Sequence, residues 1–101
     1  MDINNSADKQ LLLIHPIGVG LSARFWDRFV ACWQKTETPA VLLAPDLLGC
    51  GAAACPARPL TPEDWAEPLI NLIQERKSGP TVLVAQGASL PIALAFAAKA
   101  P

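Results

Sequence analysis

Three short apolar runs punctuate the chain: Leu11 to Ile14, Val41 to Ala44 and Thr81 to Ala85. None alternates apolar with polar residues as a half-solvated strand does. Each is therefore expected to be buried on both faces, the habit of strands in parallel sheets. Between the first two runs, Phe25, Phe29 and Trp33 recur every four residues with Trp26 and Val30 beside them. That spacing predicts an amphipathic helix with Ser22 as its N-cap. Between the second and third, Thr61-Pro62-Glu63-Asp64 supplies a cap, a proline at the first helical position and acids in the first turn. Trp65, Leu69, Leu72 and Ile73 give this helix an inward stripe, and Pro68 inside it is expected to kink or restart it. A last helix, nearly all apolar, follows Ala88 and is expected to be deeply buried.

The pattern places strands at about 11–15, 41–45 and 81–86 and helices at about 22–35, 62–77 and 88–100. Residues 1–10 read as a flexible N-terminus, 11–101 as a single unit, and 50–59, rich in Ala and Pro, as a loop. Strand and helix alternate throughout. That order implies right-handed crossovers and a three-layer, doubly wound parallel sheet. Ligands of such sheets sit beyond the carboxyl ends of the strands. The unusual residues cluster there: His15-Pro16-Ile17-Gly18, Pro45-Asp46 and Ala85-Gln86-Gly87.

Composition narrows the field. The 101 residues are 51% hydrophobic and 17% charged, which excludes disorder, and the net charge of −1 argues against a nucleic-acid partner. No apolar run approaches the roughly 18 residues of a membrane span. The polar opening MDINNSADKQ is unlike a signal peptide. Cys32, Cys50 and Cys55 have no Cys-x-x-Cys spacing and His15 stands alone, so neither a disulfide framework nor a metal site is expected. Such cysteine usage suits a reducing, cytoplasmic setting. Cys32 is expected in the core and Cys55 in the loop. Cys50, between Gly49 and Gly51, stands near the expected pocket mouth with no basic residue beside it to stabilise a thiolate.

Three segments together resemble the N-terminal half of the α/β-hydrolase superfamily. LLLIHPIGVG resembles the strand and loop that supply part of the oxyanion hole; APDLLGCGAA resembles the Pro-Asp-x-x-Gly-x-Gly turn; VLVAQGASLPIALAFAAKAP resembles the strand, nucleophile elbow and following helix. The family's elbow reads Gly-x-Ser-x-Gly, and here the matching residues are Ala85-Gln86-Gly87-Ala88-Ser89. Gly87 holds the nucleophile position. A register shifted to Ser89 would insert two residues at the strand-to-turn junction and lose the match to Ile92-Ala93-Leu94 and Pro101. Glycine tolerates the strained backbone of such an elbow and removes its nucleophile.

The resemblance implies further roles. Oxyanion donors map onto the backbone amides of Ile17 and Ala88, which do not depend on side-chain identity. His15, Gly18 and Gln86 are candidates to line the pocket, although His15 is expected to bond nearby backbone. Asp46, Gly49 and Gly51 map onto the structural turn. The family's acid and histidine follow the nucleophile, and no Asp, Glu or His follows Gly87 here, so no triad can be assembled.

The expectation is a partial α/β-hydrolase fold, resembling esterases, lactonases and acyltransferases, truncated and without the catalytic serine. A non-catalytic relative binding a small carbonyl or acyl ligand is the first alternative. A dinucleotide-binding domain is the second, since Gly18-Val19-Gly20-Leu21-Ser22-Ala23 fits Gly-x-Gly-x-x-Ala and Asp46 follows about twenty residues later. Against it, His15-Pro16-Ile17 separate the strand from the first glycine. The hydrolase readings imply no cofactor. The resemblance implies that the first strand lies between the other two, and these two apolar border strands call for a covering partner: a missing C-terminal half, or a second copy.

Overall fold

The computed structural model describes residues 9–18, 20–38, 40–51, 53, 57–76 and 80–99. Strand β1 (Gln10–Ile14) is the middle of a three-stranded parallel sheet, between β2 (Val41–Leu43) and β3 (Thr81–Ala85). Gln10 lies opposite both Val41 and Thr81, and Ile14 opposite Ala85. The central place explains the unbroken aliphatic run: Leu12, Leu13 and Ile14 are fully buried, so both faces of β1 are covered.

A 3₁₀ turn (Ala23–Trp26) leads into helix α1 (Asp27–Lys35). The Ser22 hydroxyl accepts the Arg24 amide at 3.3 Å, the cap that the sequence predicts. Helix α2 (Pro62–Arg76) starts with a reciprocal box: Thr61 Oγ1 accepts the Asp64 amide at 3.2 Å, and the Asp64 carboxylate accepts the Thr61 amide at 2.9 Å. A second 3₁₀ turn (Gly87–Ser89) opens helix α3 (Leu90–Lys99).

The core lies on one face of the sheet. Leu12 and Ile14, flanked by Leu43, Leu83 and Ala85, meet Ala66, Leu69 and Ile70 of α2 and Ile92, Ala93 and Phe96 of α3. Each fully buried leucine, isoleucine or phenylalanine among them contributes about 1.5–3 kcal/mol. Helix α1 lies toward the opposite face, where its Val30 and Trp33 share a cleft with Leu42. Helices on both faces complete the doubly wound arrangement. The amino end of the sheet is closed by Gln10, which is fully buried: its amide donates to Thr81 Oγ1 at 2.9 Å and its carbonyl accepts from Arg76 Nε at 3.3 Å. Those bonds offset the cost of burying a polar amide.

Four expectations are corrected. Helix α2 runs through Pro68 without a break. One turn bond is lost there, at the Asp64 carbonyl, and the burial of Ala66, Leu69 and Ile70 on either side outweighs it. The second strand stops at Leu43 rather than residue 45, because Pro45 has no amide for the ladder. The last helix and strand are less buried than their composition suggests: Val82 is 55% exposed and Leu94 63%. Among the described residues β3 pairs on one side only, so its outer edge is open. Cys32 is exposed rather than in the core, since the inward stripe of α1 runs through Phe29, Val30 and Trp33 and leaves position 32 outside. Cys55 lies outside the described residues. Among the described residues, no helix is long and apolar enough to cross a membrane.

Candidate functional site at the carboxyl ends of the strands

Parallel strands of similar register end together, so the segments after β1, β2 and β3 meet along one rim of the sheet. His15 follows β1 directly and is fully buried. Its Nε2 accepts the Leu47 amide at 3.0 Å, and its Nδ1 lies 2.8 Å from the Pro16 carbonyl. An amide donor at Nε2 fixes the ring proton on Nδ1, which then donates to Pro16. Both nitrogens are committed to backbone, so the imidazole ties the two loops together from beneath and presents no free atom to a ligand.

Asp46 works beside it. Its Oδ1 accepts the Ala23 amide at 2.7 Å, placing a carboxylate at the start of the first 3₁₀ turn where donors are unpaired. The carboxylate lies directly against Gly51, where an added β-carbon would collide with it. Gly49 (φ +80°) and Gly51 (φ +53°) both hold left-handed conformations that suit glycine. The loop is closed by the Cys50 amide on the Leu47 carbonyl at 2.8 Å, and the Trp65 indole donates to the Leu48 carbonyl at 3.0 Å. The three glycine and aspartate positions assigned to a structural turn thus lie in one clamp.

The third segment is a sharp turn. Gly87 has φ +59°, and no atom lies within 4 Å of where its β-carbon would stand. Ser89 is fully buried. Its Oγ accepts the Gln86 amide at 3.0 Å and lies 2.9 Å from the Gln86 carbonyl and 3.2 Å from that of Ile14, the acceptors open to its proton. The Ser89 hydroxyl therefore stitches the turn to the end of β1 and is turned away from solvent. Its own amide bonds the Gln86 carbonyl at 3.2 Å, so the amides of Gly87 and Ala88 precede the first bonded donor of the turn. Gln86 and Ala88 are exposed, Gly18 is exposed, and Ile17 is half-buried against the core.

The rim brings Ile17, Gly18, Asp46, Gly51, Gln86, Gly87 and Ala88 onto adjoining loops, with His15 and Ser89 beneath them. The bonds from His15 to Leu47 and from Trp65 to Leu48 have no sequence signal, because each joins a side chain to a backbone atom far along the chain. The marked electrostatic perturbation lies elsewhere, at the start of α2. There the Arg58 guanidinium, hydrogen-bonded to Asp64, and the Thr61 amide hold the Asp64 carboxyl at about 2, and Arg58 is raised in turn. Among the described residues no group of His, Cys, Asp and Glu could hold a metal ion.

The fold is that of part of an α/β-hydrolase-like sheet. A solved structure of an extracellular α/β-hydrolase from a Paenibacillus species superposes with a TM-score of 0.73 at 19% identity. That enzyme is described as sharing structural and functional homology with tobacco salicylic acid binding protein 2. The match covers 91% of this chain and 36% of the neighbour, so the chain spans about a third of the neighbour's length. No family model matches the sequence, and no curated protein matches it.

Proposed function

We propose that this chain is the elbow-bearing part of an α/β-hydrolase-like unit, resembling those of esterases, lactonases and acyltransferases, that has given up serine chemistry. What remains is a binding site for a small carbonyl or acyl compound, held at its carbonyl oxygen by the amides of Ile17 and Ala88. The observation that carries this reading is the turn at Gly87. It keeps the left-handed backbone of an elbow (φ +59°) with open space where a nucleophilic side chain would stand. The neighbouring hydroxyl, Ser89, is buried and engaged. Glycine there avoids the strain of about 1–3 kcal/mol that a serine would bear, a cost worth sustaining only where the serine reacts. The free, exposed thiol of Cys32 fits a reducing compartment, and we take the cytoplasm as the setting.

The dinucleotide reading gains no support from the rim. One oxygen of the Asp46 carboxylate, which that reading assigns to a ribose, already accepts the Ala23 amide.

The test pairs turnover with binding. The 101-residue chain should hydrolyse p-nitrophenyl acetate no faster than buffer, while p-nitroacetophenone, an uncleavable ketone, should shift the amide resonances of Ile17 and Ala88. Gly87→Ser should introduce a single acyl-transfer burst at most. Ester turnover by the unmodified chain would contradict the assignment of Gly87, and a ketone that moves neither amide would remove the binding role.

A further inference from the structure

The cleft shared by α1 and Leu42 lies at the opposite end of the sheet from Gly87. It has a volume of about 450 Å³ and sits where α1 gives way to β2, a volume within the range of small-molecule sites. Val30, Trp33, Ala40 and Leu42 give it an apolar lining, and Gln34, Glu37 and Thr38 a polar one. The tryptophan is held in place: its ring stacks on Phe29 with centroids 6.0 Å apart and planes at 24°, and its indole donates to the Thr38 carbonyl at 3.0 Å.

Glu37 is the charged residue lining this cleft among those described. It is also the one described residue other than glycine with a left-handed backbone, φ +56°. The position follows the end of α1: the amides of Thr36 and Glu37 bond back to Trp33 and Gln34 at 3.0 and 3.3 Å. Helices ending this way strongly favour glycine there. The chain instead holds a glutamate at a backbone cost, beside a fixed aromatic ring. Strained residues of this kind concentrate at functional positions. The carboxyl end of α1 adds partial negative charge to the same spot. An aromatic face, a carboxylate and a helix carboxyl end all favour a cation.

We propose that this cleft binds a small organic ammonium, its apolar part on Val30 and Leu42 and its charge between Trp33 and Glu37. The site does not depend on the elbow and would stand if the reading of Gly87 fell.

The experiment is a titration of the isotope-labelled 101-residue chain, following the Trp33 indole N–H and the Glu37 amide. The probe is benzyltrimethylammonium, with benzyl alcohol as its uncharged counterpart. The cation should give saturable shifts at both positions, and the alcohol should bind at least about tenfold more weakly, given the strength of cation–π and carboxylate contacts. Glu37→Gln should weaken the cation about fivefold without changing the fold. Glu37→Gly should weaken it as much while raising the melting midpoint by about 4 °C, as relief of the backbone cost requires. Equal affinity for the alcohol and the cation, or unchanged cation binding in both Glu37 variants, overturns the proposal. An absence of saturable shifts overturns it as well.

Discussion

Glycine at position 51 offers a sharp test of the clamp formed by Asp46. Two glycines of the rim share a left-handed backbone: Gly51 at φ +53° and Gly87 at φ +59°. Their surroundings differ. A β-carbon at Gly87 meets nothing within 4 Å, whereas one at Gly51 strikes the Asp46 carboxylate. Gly87→Ala should therefore cost only the conformational term, about 1 kcal/mol. Gly51→Ala carries that term and must also displace Asp46, which strains or breaks its 2.7 Å bond to the Ala23 amide. A hydrogen bond to a charged group is worth about 1.5–3 kcal/mol, so the total is about 2.5–4 kcal/mol. For a chain of this size the melting midpoint should fall by about 5 °C in the first variant and by 10 °C or more in the second. Circular dichroism melts and urea titrations of the three proteins give both numbers. Equal losses in the two variants would refute the clamp, since they would mean that Asp46 does not press on Gly51 in solution.

Other expectations follow from the same contacts. His15→Leu should cost about 2–4 kcal/mol in urea unfolding, because it leaves the buried Leu47 amide without its acceptor. Ser89→Ala should cost about 1–2 kcal/mol and loosen amide-exchange protection at Gln86, whose N–H loses its partner. Pro68→Ala should stabilise the chain by about 1–3 kcal/mol, restoring a turn bond in an exposed stretch of α2. The Asp64 carboxyl, depressed to about 2 by Arg58 and the Thr61 amide, contributes stability that is complete above the unfolded carboxylate pKa and is lost as pH falls through the folded one. Its carboxyl carbon resonance should titrate near pH 2, and the start of α2 should stay protected from exchange at about pH 3, below the free carboxylate value and above the folded one. Titration near the free value would show that the Arg58 pair is absent in solution.

Much of the architecture was legible in the sequence because it rests on local signals. The three apolar runs, the four-residue recurrence of Phe25, Phe29 and Trp33, and the Thr61-Pro62-Glu63-Asp64 start each encode one element with its neighbours in the chain. The central place of β1 came from the family resemblance and is reproduced in the sheet order. Burial was harder to read. Composition makes the last helix uniformly apolar, yet Leu90 and Leu94 stand in solvent because exposure depends on which elements lie alongside, and no local signal carries that. Cys32 failed for a related reason: its chemistry suits a core, while its angle on α1 does not. The rim was legible where backbone conformation demands a residue type, as at Gly49, Gly51 and Gly87. The Trp65 contact left no trace in the pattern, whereas the bonding of His15 to backbone was expected and only its distant partner, Leu47, was not.

The position of β1 also sets the order of events during synthesis. Gln10 pairs with Thr81, a partner 71 residues later, and with Val41 on its other side. At roughly 5–20 residues per second, a ribosome needs about 4–14 s to deliver β3 after β1 has been made. Through that interval Leu12 to Ile14, buried in the finished sheet, have no second neighbour and lack the covering of α3. The stickiest of the three strands is thus made before the strand that closes the sheet beside it. The chain's yield in a cell should depend on what shields residues 12–14 until residue 85 has emerged.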